Sequence, residues 1–567
     1  MNNFRALWWI ALAFTLFMLW TEWTHFLNQK AMGTTPVTTQ TSVKTDAGVP
    51  TPLPASGDVP QAAKASTLQA SPDAVPTPET RIASAARIIV KTDVINAELD
   101  TQGADLRFMS LNDYAISRED KDAFTLLSDK SPYLFMMQSG FAGQAGAVPT
   151  HHDVYTSPAS SYTLAAGDKE LRVPFVWEKS GVRVEKTYIF TRASHVIKLE
   201  TKVTNNGTEI WQASPYQQLV RNSYDPSSSF WLPTYTGGAL YDEVNKFDKI
   251  AFSDMDKQPI NRDAVGGWLG MMQHYFIAAI VPNTTESMHY YSKTLDTERH
   301  ALGLIAPTLA VSAGASITTS VQLYAGPKLQ GLMKDLAPGL ELTVDYGVLA
   351  FLAQPMFWLL EHLNALVEPV AGFWSWGWAI ILVTMLLKGA FYKLSEAGYK
   401  SMANLRKLTP RLQHLKDNYS HDKMLFQQKM MELYKTEKIN PLGGCLPILV
   451  QIPVFLSLYW VLLEAVELRM TPFLWLNDLS HYDPFFILPV LMGISMVIQQ
   501  KLNPPPTDPM QEKVMKFLPY IFTIFFLFIP SGLVLYWVVN NTLSIAQQWH
   551  ITRQIEAQEK PLAHHHG

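Results

Sequence analysis

A single cysteine, Cys445, stands in the 567 residues. That excludes an intramolecular disulfide and any multi-cysteine zinc or iron–sulfur site. No cysteine occurs anywhere before it, which suits an oxidising compartment without demanding one. Charge of one sign is also scarce. The formal balance is −4, and nothing in it demands nucleic acid. No paired-carboxylate, nucleophile–base or phosphate-loop constellation stands out, and no nucleophile-elbow sequence accompanies the serines and histidines. The spacing of His151, His152, Asp153 and His195 matches no motif, so they read as loop and surface residues. His564, His565 and His566 read as a purification-tag remnant and are set aside. These absences predict a chain that is not an enzyme and has no cofactor, no metal and no small-molecule substrate.

Aromatic residues are missing from Ala31 to Thr80, where Pro36, Pro50, Pro52, Pro54, Pro60, Pro72, Pro76 and Pro78 recur among Thr, Ala and Ser. Such a stretch cannot bury enough apolar surface to offset its ordering entropy, so residues 28–82 read as a flexible tether. Before it, residues 4–23 are apolar, with Arg5 at their start and tryptophans continuing to Trp23. No small-x-small cleavage site follows, and residues 1–27 read as an uncleaved membrane anchor with a cytoplasmic amino terminus.

Residues 83–342 read as all-β. Val196 to Thr204 alternates apolar and polar side chains and then meets Asn205-Asn206-Gly207, a hairpin signal. Ile88–Ile95, Val184–Phe190, Tyr275–Val281 and Ile317–Tyr324 are further strand candidates, and strands without long helical patterns between them point to a large sandwich. At Tyr346–Val367 the period changes. Leu349, Leu352, Met356, Leu359 and Leu363 stand at helical spacing, and Pro355 argues against a continuous span. Residues 343–368 therefore read as an amphipathic interfacial helix, or as a core helix of the β region.

Gly372–Tyr392 is apolar and aromatic for long enough to cross the ~30 Å hydrocarbon core of a bilayer, and it carries Lys388. Such a lysine either lines a hydrated recess or snorkels to the interface, and this helix alone leaves both open. Residues 393–440 follow, with ten basic against five acidic residues, and read as a cytoplasmic helical hairpin by the positive-inside rule. Arg406, Lys407, Arg411 and Lys416 are its candidates for contact with ribosomal RNA or anionic lipid; a solvated basic loop has the same charge. Further spans are expected at 445–466, 483–501, 515–529 and 531–548, with Leu502–Lys516 as a cytoplasmic turn, a break at Pro530-Ser531-Gly532 and a cytoplasmic tail at 551–567. Six spans with both termini inside result, and residues 369–550 form a five-helix core. Thr384 stands one turn before Lys388, and Gln451, Ser457, Gln499, Gln500, Asn540, Asn541 and Thr542 add polar groups to the other spans. Each singly reads as interhelical glue; together with Lys388 they suggest a hydrated, electropositive recess.

Long ordered motifs run through this region. They are Asn440-Pro-Leu-Gly-Gly-Cys-Leu-Pro447, Gln451-Ile-Pro-Val-Phe455, Glu467-Leu-Arg469, Asp478-Leu-Ser480, Asp483-Pro484, Ile487-Leu-Pro-Val-Leu-Met-Gly493, Asp508-Pro-Met510 and Pro530-Ser-Gly-Leu-Val-Leu-Tyr536. In these the chain resembles the YidC membrane-protein insertases, and its anchor, tether and β region resemble the Gram-negative branch. The resemblance implies a multi-pass α-helical protein of the inner membrane with six spans. Five of them enclose a hydrophilic groove that is open to lipid and cytoplasm and closed toward the periplasm. It further implies a periplasmic β-supersandwich and a mobile cytoplasmic hairpin that receives ribosome–nascent-chain complexes from the signal recognition particle pathway. The activity implied is insertion of nascent membrane proteins into the lipid bilayer, alone or with the Sec translocon. Groove residues would be Lys388, Thr384, Gln451, Asn540, Tyr536 and Trp537. The family normally has arginine where this chain has Lys388, and some relatives have tyrosine at Trp537. The charge stays at 388, while the planar fork that holds a carboxylate bidentately does not. A secondary transporter or channel with a polar intramembrane site is the alternative, but it would show repeated halves, and no internal repeat is visible.

Overall fold

The computed structural model describes residues 84–116, 120–144, 148–224, 234–282, 286–296, 298–419, 422–437, 446–503 and 509–559. The expected anchor and tether, Cys445, Asp508 and the terminal histidines lie outside them. The chain forms two compact units that divide after Val344.

In the first unit, alternation does what it does in any half-buried strand. Ile197, Leu199 and Val203 are buried on one face of the strand Val196–Asn205, with Lys198 and Lys202 turned away. Among the described residues, eight strands form one sheet in the order Lys246–Ile250, Gly237–Asp242, Trp268–Gln273, Phe276–Pro282, Ser316–Pro327, Val196–Asn205, Val182–Thr191 and Glu170–Lys179. Eleven form the other. It runs from Asn261–Val265 through Ser287–Thr294, Arg299–Ile305, Trp211–Asn222, Tyr133–Ala142, Ala123–Lys130, Asp105–Ala115, Ile95–Asp100 and Arg87–Lys91 to Ser161–Thr163, with Leu309–Val311 beside Trp211–Asn222. All named pairings are antiparallel except that of Arg87–Lys91 with Ser161–Thr163. Side chains from both sheets, among them Phe135, Phe175, Leu199, Phe276 and Leu302, share one core.

Two local expectations fail here. Ile88–Ile95 is two strands, because Thr92–Val94 turns between Arg87–Lys91 and Ile95–Asp100. Asn205-Asn206-Gly207 closes no hairpin, since Val196–Asn205 and Trp211–Asn222 belong to different sheets. The Asn205 Oδ1 accepts from Gly207 N at 2.9 Å, and its Nδ2 donates to the Glu209 and Val311 carbonyls, so this asparagine shapes a sheet-to-sheet crossing.

The same core holds a buried polar cluster. Lys186 Nζ donates to Gly103 O, Ser139 O and Ser139 Oγ at 2.7–2.9 Å and lies 4.7 Å from the centre of the Tyr155 ring. Asp105 Oδ2 accepts from Arg107 Nη2 at 3.0 Å and Gln138 Nε2 at 3.2 Å. Burial pushes the Lys186 ammonium down to about 7, with Asp105 and Asp153 opposing the shift. His151 sits in this cluster against the Tyr216 hydroxyl at 2.7 Å, and His195 faces Asp113 at 3.6 Å. These two histidines, expected at the surface, are buried and separately partnered.

The second unit is helical. Its helices follow two short ones in the β unit, α1 (Phe252–Lys257) and α2 (Gln330–Leu336). They are α3 (Ala350–Ala371), α4 (Ser375–Ala390), α5 (Tyr392–Lys407), α6 (Thr409–Tyr419), α7 (Lys423–Thr436), α8 (Leu446–Glu464), α9 (Ile487–Leu502), α10 (Pro509–Phe526) and α11 (Ser531–Glu559). Among the described residues, the helical run Gly347–Ala390 is long and apolar enough to cross a membrane, and Val450–Glu464 and Ile487–Leu502 are shorter apolar helices. Gly372, at φ +53°, divides α3 from α4. Large apolar residues stand exposed along α3, α9 and α10, such as Phe351, Trp358, Leu366, Val490, Ile494, Ile521 and Ile524. Outward faces of this kind suit lipid rather than water.

Several boundaries differ from expectation. Pro355 does not interrupt α3. It lies inside α3, five residues past its start, and the helix runs on through it at the loss of one backbone bond. The hairpin region holds three helices, because the chain breaks at Leu408 and a new helix starts at Thr409 with Pro410 in its first turn. Asp422 caps α7 by accepting from Met424 N and Leu425 N at 3.0 Å. The stretch expected as a turn up to Lys516 is helical from Pro509, so the span expected at 515–529 is an 18-residue helix that starts at Pro509 and ends at Phe526. The expected tail is helical through Glu559.

One loop fixes the end of α11. Between α8 and α9, Leu468, Phe473, Leu476, Leu479 and Asp483 are buried although the segment is almost free of regular structure. Ser531 N donates to His481 O at 2.7 Å, Gly532 N to Leu479 O at 2.8 Å, and Ser531 Oγ to Asp478 O at 2.9 Å. The first orphan donors of α11 are thereby satisfied by loop carbonyls. Asp483 does the same for α9, accepting from Leu488 N at 2.7 Å. The Phe473 ring lies flat against Gly377 of α4, edge-on to Trp374 and Trp378.

Two outcomes follow for these units. Lys186, lowered in the folded state, leaves the unfolded chain holding the extra proton between about 7 and its ordinary 10.5, so its contribution to stability rises with pH through that window. Melting of the full chain should rise between pH 7 and pH 9, and Lys186→Met should remove part of that rise; an identical pH slope in both proteins would refute it. Gly377→Ala places a methyl on the Phe473 ring and should cost about 1–3 kcal/mol of stability by overpacking. Phe473→Leu in the same chain should restore part of the loss, and strictly additive effects would disprove the contact.

Candidate functional site

The site is built on α11, which packs against α4, α5, α8 and α9. Because α4 is apolar on most of its surface, the two polar residues in its second half matter by where they fall. Thr384 and Lys388 are four apart and so lie on one face. That face meets Gln451, Val454 and Phe455 of α8 and Tyr536 and Asn540 of α11 around a cavity of about 190 Å³. Five of the six sequence-derived groove residues therefore gather in one recess, namely Lys388, Thr384, Gln451, Asn540 and Tyr536. Trp537 does not line it. Its ring stacks on Phe455 at 4.9 Å and meets Phe526 of α10 edge-on at 4.2 Å, so it backs the wall from behind.

The polar groups differ in what they have left to offer. The Thr384 hydroxyl, fully buried, donates to Ile380 O at 2.6 Å, which leaves only its lone pairs for a visitor. Gln451 reaches Ser395 Oγ through Nε2 at a long 3.4 Å. Lys388, half-buried, donates from Nζ to Ser544 Oγ at 2.7 Å. The Ser544 hydroxyl itself donates to Asn540 O at 2.7 Å, so it meets Lys388 as an acceptor. Among the described residues no carboxylate pairs with Lys388. The ammonium has two further N–H donors, and the cavity beside it is the place they can be used. An anion or a hydrogen-bond acceptor entering the recess would be attracted; no group here is arranged to attack it.

Sequence reading missed Ser544, which sits in the polar second half of α11 and has no motif to mark it. Asn541 and Thr542, once counted among the polar groups of this region, face elsewhere. Asn541 Nδ2 donates to Ser495 Oγ at 3.2 Å and ties α11 to α9, and the Thr542 hydroxyl returns to Val538 O. Of the four hairpin cations, Arg406 and Lys407 line a second cavity beneath α5, Arg411 pairs with Glu437, and Lys416 stands on α6. Among the described residues no cluster of three or more His, Cys, Asp or Glu could hold a metal.

Comparison with known proteins agrees with this organisation. Residues 87–359 match the family model described as the YidC periplasmic domain, and residues 366–559 match that of the 60Kd inner membrane protein. The membrane protein insertase YidC of Methylococcus capsulatus is 51% identical over 477 residues, which cover 83% of this chain and 86% of that protein. Its namesake in Methylobacillus flagellatus is 45% identical over 561 residues, 98% of each chain. A crystal structure of an active YidC insertase covers 83% of this chain and 93% of its own, at 18% identity and a TM-score of 0.38. With identity at this level along nearly the whole length of both proteins, the chain belongs to the YidC family of membrane protein insertases.

Proposed function

We propose that this chain inserts membrane proteins by lending their polar segments a positively charged recess, walled by α4, α8 and α11, on the way into the bilayer. The observation that carries the reading is Lys388, a cation with no carboxylate partner among the described residues, beside a cavity between helices whose outer faces are apolar. Moving a polar tail through hydrocarbon costs several kcal/mol per unsatisfied group. A recess that is already polar lowers that cost for part of the path. A substrate carboxylate at ~5 Å from Lys388 would gain about 3 kcal/mol at an effective dielectric of ~20. The apolar segment of the substrate meanwhile slides along the lipid side of the helices and partitions into the bilayer without any bond being made or broken. Such a mechanism has no catalytic residue and calls for no cofactor.

The arrangement in the inner membrane is six spans, the anchor at 1–27 and five in the core, with the β unit in the periplasm and both termini in the cytoplasm. The basic balance of 393–440 supports the cytoplasmic side for α5 to α7. Their cations Arg406, Lys407, Arg411 and Lys416 suit recruitment of ribosome–nascent-chain complexes, the signal recognition particle pathway delivers them, and the Sec translocon shares the larger substrates. The loop at 466–483, packed over the start of α11, closes the recess on the periplasmic side.

Purified protein in liposomes, given one small substrate whose tail charge is varied from −2 to 0, tests the mechanism. Lys388→Arg should insert every tail as the parent does. Lys388→Ala should slow acidic tails by about tenfold, which is half or less of the attraction estimated above, and spare neutral ones. Lys388→Glu should be worse than alanine on acidic tails, because like charges repel in a recess of low dielectric. No dependence on tail charge in any variant would leave Lys388 a snorkelling cation.

Topology is checked separately by cysteine labelling in a Cys445→Ser background. An impermeant reagent outside intact spheroplasts should reach a cysteine at Asn477 and fail to reach one at Asn418 or Gln554. Labelling at Gln554 from outside would remove the sixth crossing.

A further inference from the structure

The second cavity, of about 250 Å³, lies where α5, the end of α9 and the second half of α11 meet. Its walls come from Tyr399, Met402 and Ala403 of α5, Leu502 of α9, and Gln548 and Ile555 of α11. Gln548 is almost wholly buried, and its orientation is fixed. Nε2 donates to Leu502 O at 3.2 Å and to Asn503 Oδ1 at 3.1 Å. Oε1 is thereby the end left over, a buried acceptor with no hydrogen-bond partner among the described residues. An orphaned acceptor of this kind costs about 1–3 kcal/mol unless something donates to it. At the rim stand Arg406 and Lys407, both exposed.

Depth along α11 sets where the cavity lies. The helix is pinned at Ser531 by the loop before α9. Gln548 is about 26 Å from that point and Ile555 about 36 Å, at 1.5 Å per residue. The ~30 Å hydrocarbon core of a bilayer ends between them. Trp549, exposed on the same stretch with the Arg553 guanidinium 3.9 Å from its ring centre, is the kind of residue that sits at the headgroup level. The cavity thus combines an apolar floor, a buried acceptor and a cationic rim at the inner boundary.

From these observations we infer that this cavity binds one phospholipid of the inner leaflet, an anionic glycerophospholipid whose headgroup carries free hydroxyls. The inference rests on the membrane orientation proposed above. The acyl chains lie against Met402, Leu502 and Ile555, the phosphate faces Arg406 and Lys407, and a headgroup hydroxyl donates to Gln548 Oε1. A phosphatidylcholine headgroup has no donor for that oxygen and carries a cation toward the rim. The site also touches the groove, because Tyr399 shares the Ser544 hydroxyl with Lys388. A bound lipid would hold α5 in place and, through Tyr399 and Ser544, steady the groove cation.

Native mass spectrometry of the full chain in detergent, with dioctanoyl lipids as probes, tests this. Dioctanoyl phosphatidylglycerol should bind saturably at one per chain, and dioctanoyl phosphatidylcholine should not. The double variant Arg406→Gln, Lys407→Gln, altered only at the surface, should weaken phosphatidylglycerol by about tenfold or more. Dioctanoyl phosphatidylmethanol keeps the charge and lacks the hydroxyls. It should bind several-fold more weakly than phosphatidylglycerol to the parent chain and equally to Gln548→Met. Lys388→Ala should keep phosphatidylglycerol affinity within about twofold while failing on acidic tails, so that loss of the groove mechanism and loss of the lipid site are told apart. Equal binding of phosphatidylcholine, an unaffected rim variant, or equally tight binding of glycerol phosphate alone would each overturn the proposal. Rim-dependent binding of a short RNA duplex without lipid binding would assign the cations to nucleic acid instead, and overturn it too.

Discussion

The hydrogen bond from Lys388 to Ser544 is the contact on which the recess depends. A lysine head in an apolar bundle is free to extend along its four-carbon stem toward the nearest water. Held at 2.7 Å by a hydroxyl of α11, it stays in the wall shared with Gln451, Asn540 and Tyr536. That hydroxyl is available only because its own proton is taken by Asn540 O, and because α11 stands at a fixed height relative to α4. The height is set at the other end of the helix, where Ser531 and Gly532 donate to the loop carbonyls of His481 and Leu479. The loop is anchored in turn by Phe473 against Gly377 of the same α4. A closed mechanical circuit therefore links the loop between α8 and α9 to the charge in the recess, and each part is held by groups that would otherwise be orphaned or clash.

The β unit manages buried charge in the opposite way. Lys186 has three acceptors, two of them backbone carbonyls, and Asp105 has Arg107 and Gln138. Three acceptors use all three N–H donors of Lys186 and leave none for a visitor. Lys388 has one hydrogen-bond partner, Ser544, among the described residues and a cavity beside it. The same residue type thus serves as internal scaffold in one unit and as an attractive surface in the other, and the number of acceptors around Nζ tells them apart.

Much of this was legible in the sequence because the signals are local. Period-two alternation marked Val196–Asn205, and the four-residue step from Thr384 to Lys388 put both on one helix face. Pro355 misled because a proline removes one backbone bond without having to end a helix, and α3 runs on past it. Asn205-Asn206-Gly207 misled because a turn signal says that the chain bends, without saying which sheet receives it. The span expected at 515–529 starts too late because the charged residues Glu512, Lys513 and Lys516 break the apolar run while leaving helix propensity intact. Ser544 was invisible for a different reason. It meets Lys388 across 156 residues of sequence, and nothing in either neighbourhood encodes the meeting.

Lysine at 388, where the resemblance to the family implies an arginine, has a physical consequence that the geometry makes concrete. A guanidinium presents donors in a rigid plane, and tying one edge to Ser544 would fix the direction of the other. An ammonium spends one N–H on Ser544 and can rotate the remaining two through the recess, whose polar neighbours Thr384 and Asn540 leave room for water. Attraction to a passing acidic residue then depends on charge and distance and hardly on orientation. On the insertion mechanism proposed above, weak angular preference is an advantage, since no one substrate is held in a bidentate grip. The cost on that mechanism is selectivity, which a groove cation of this kind would not itself supply.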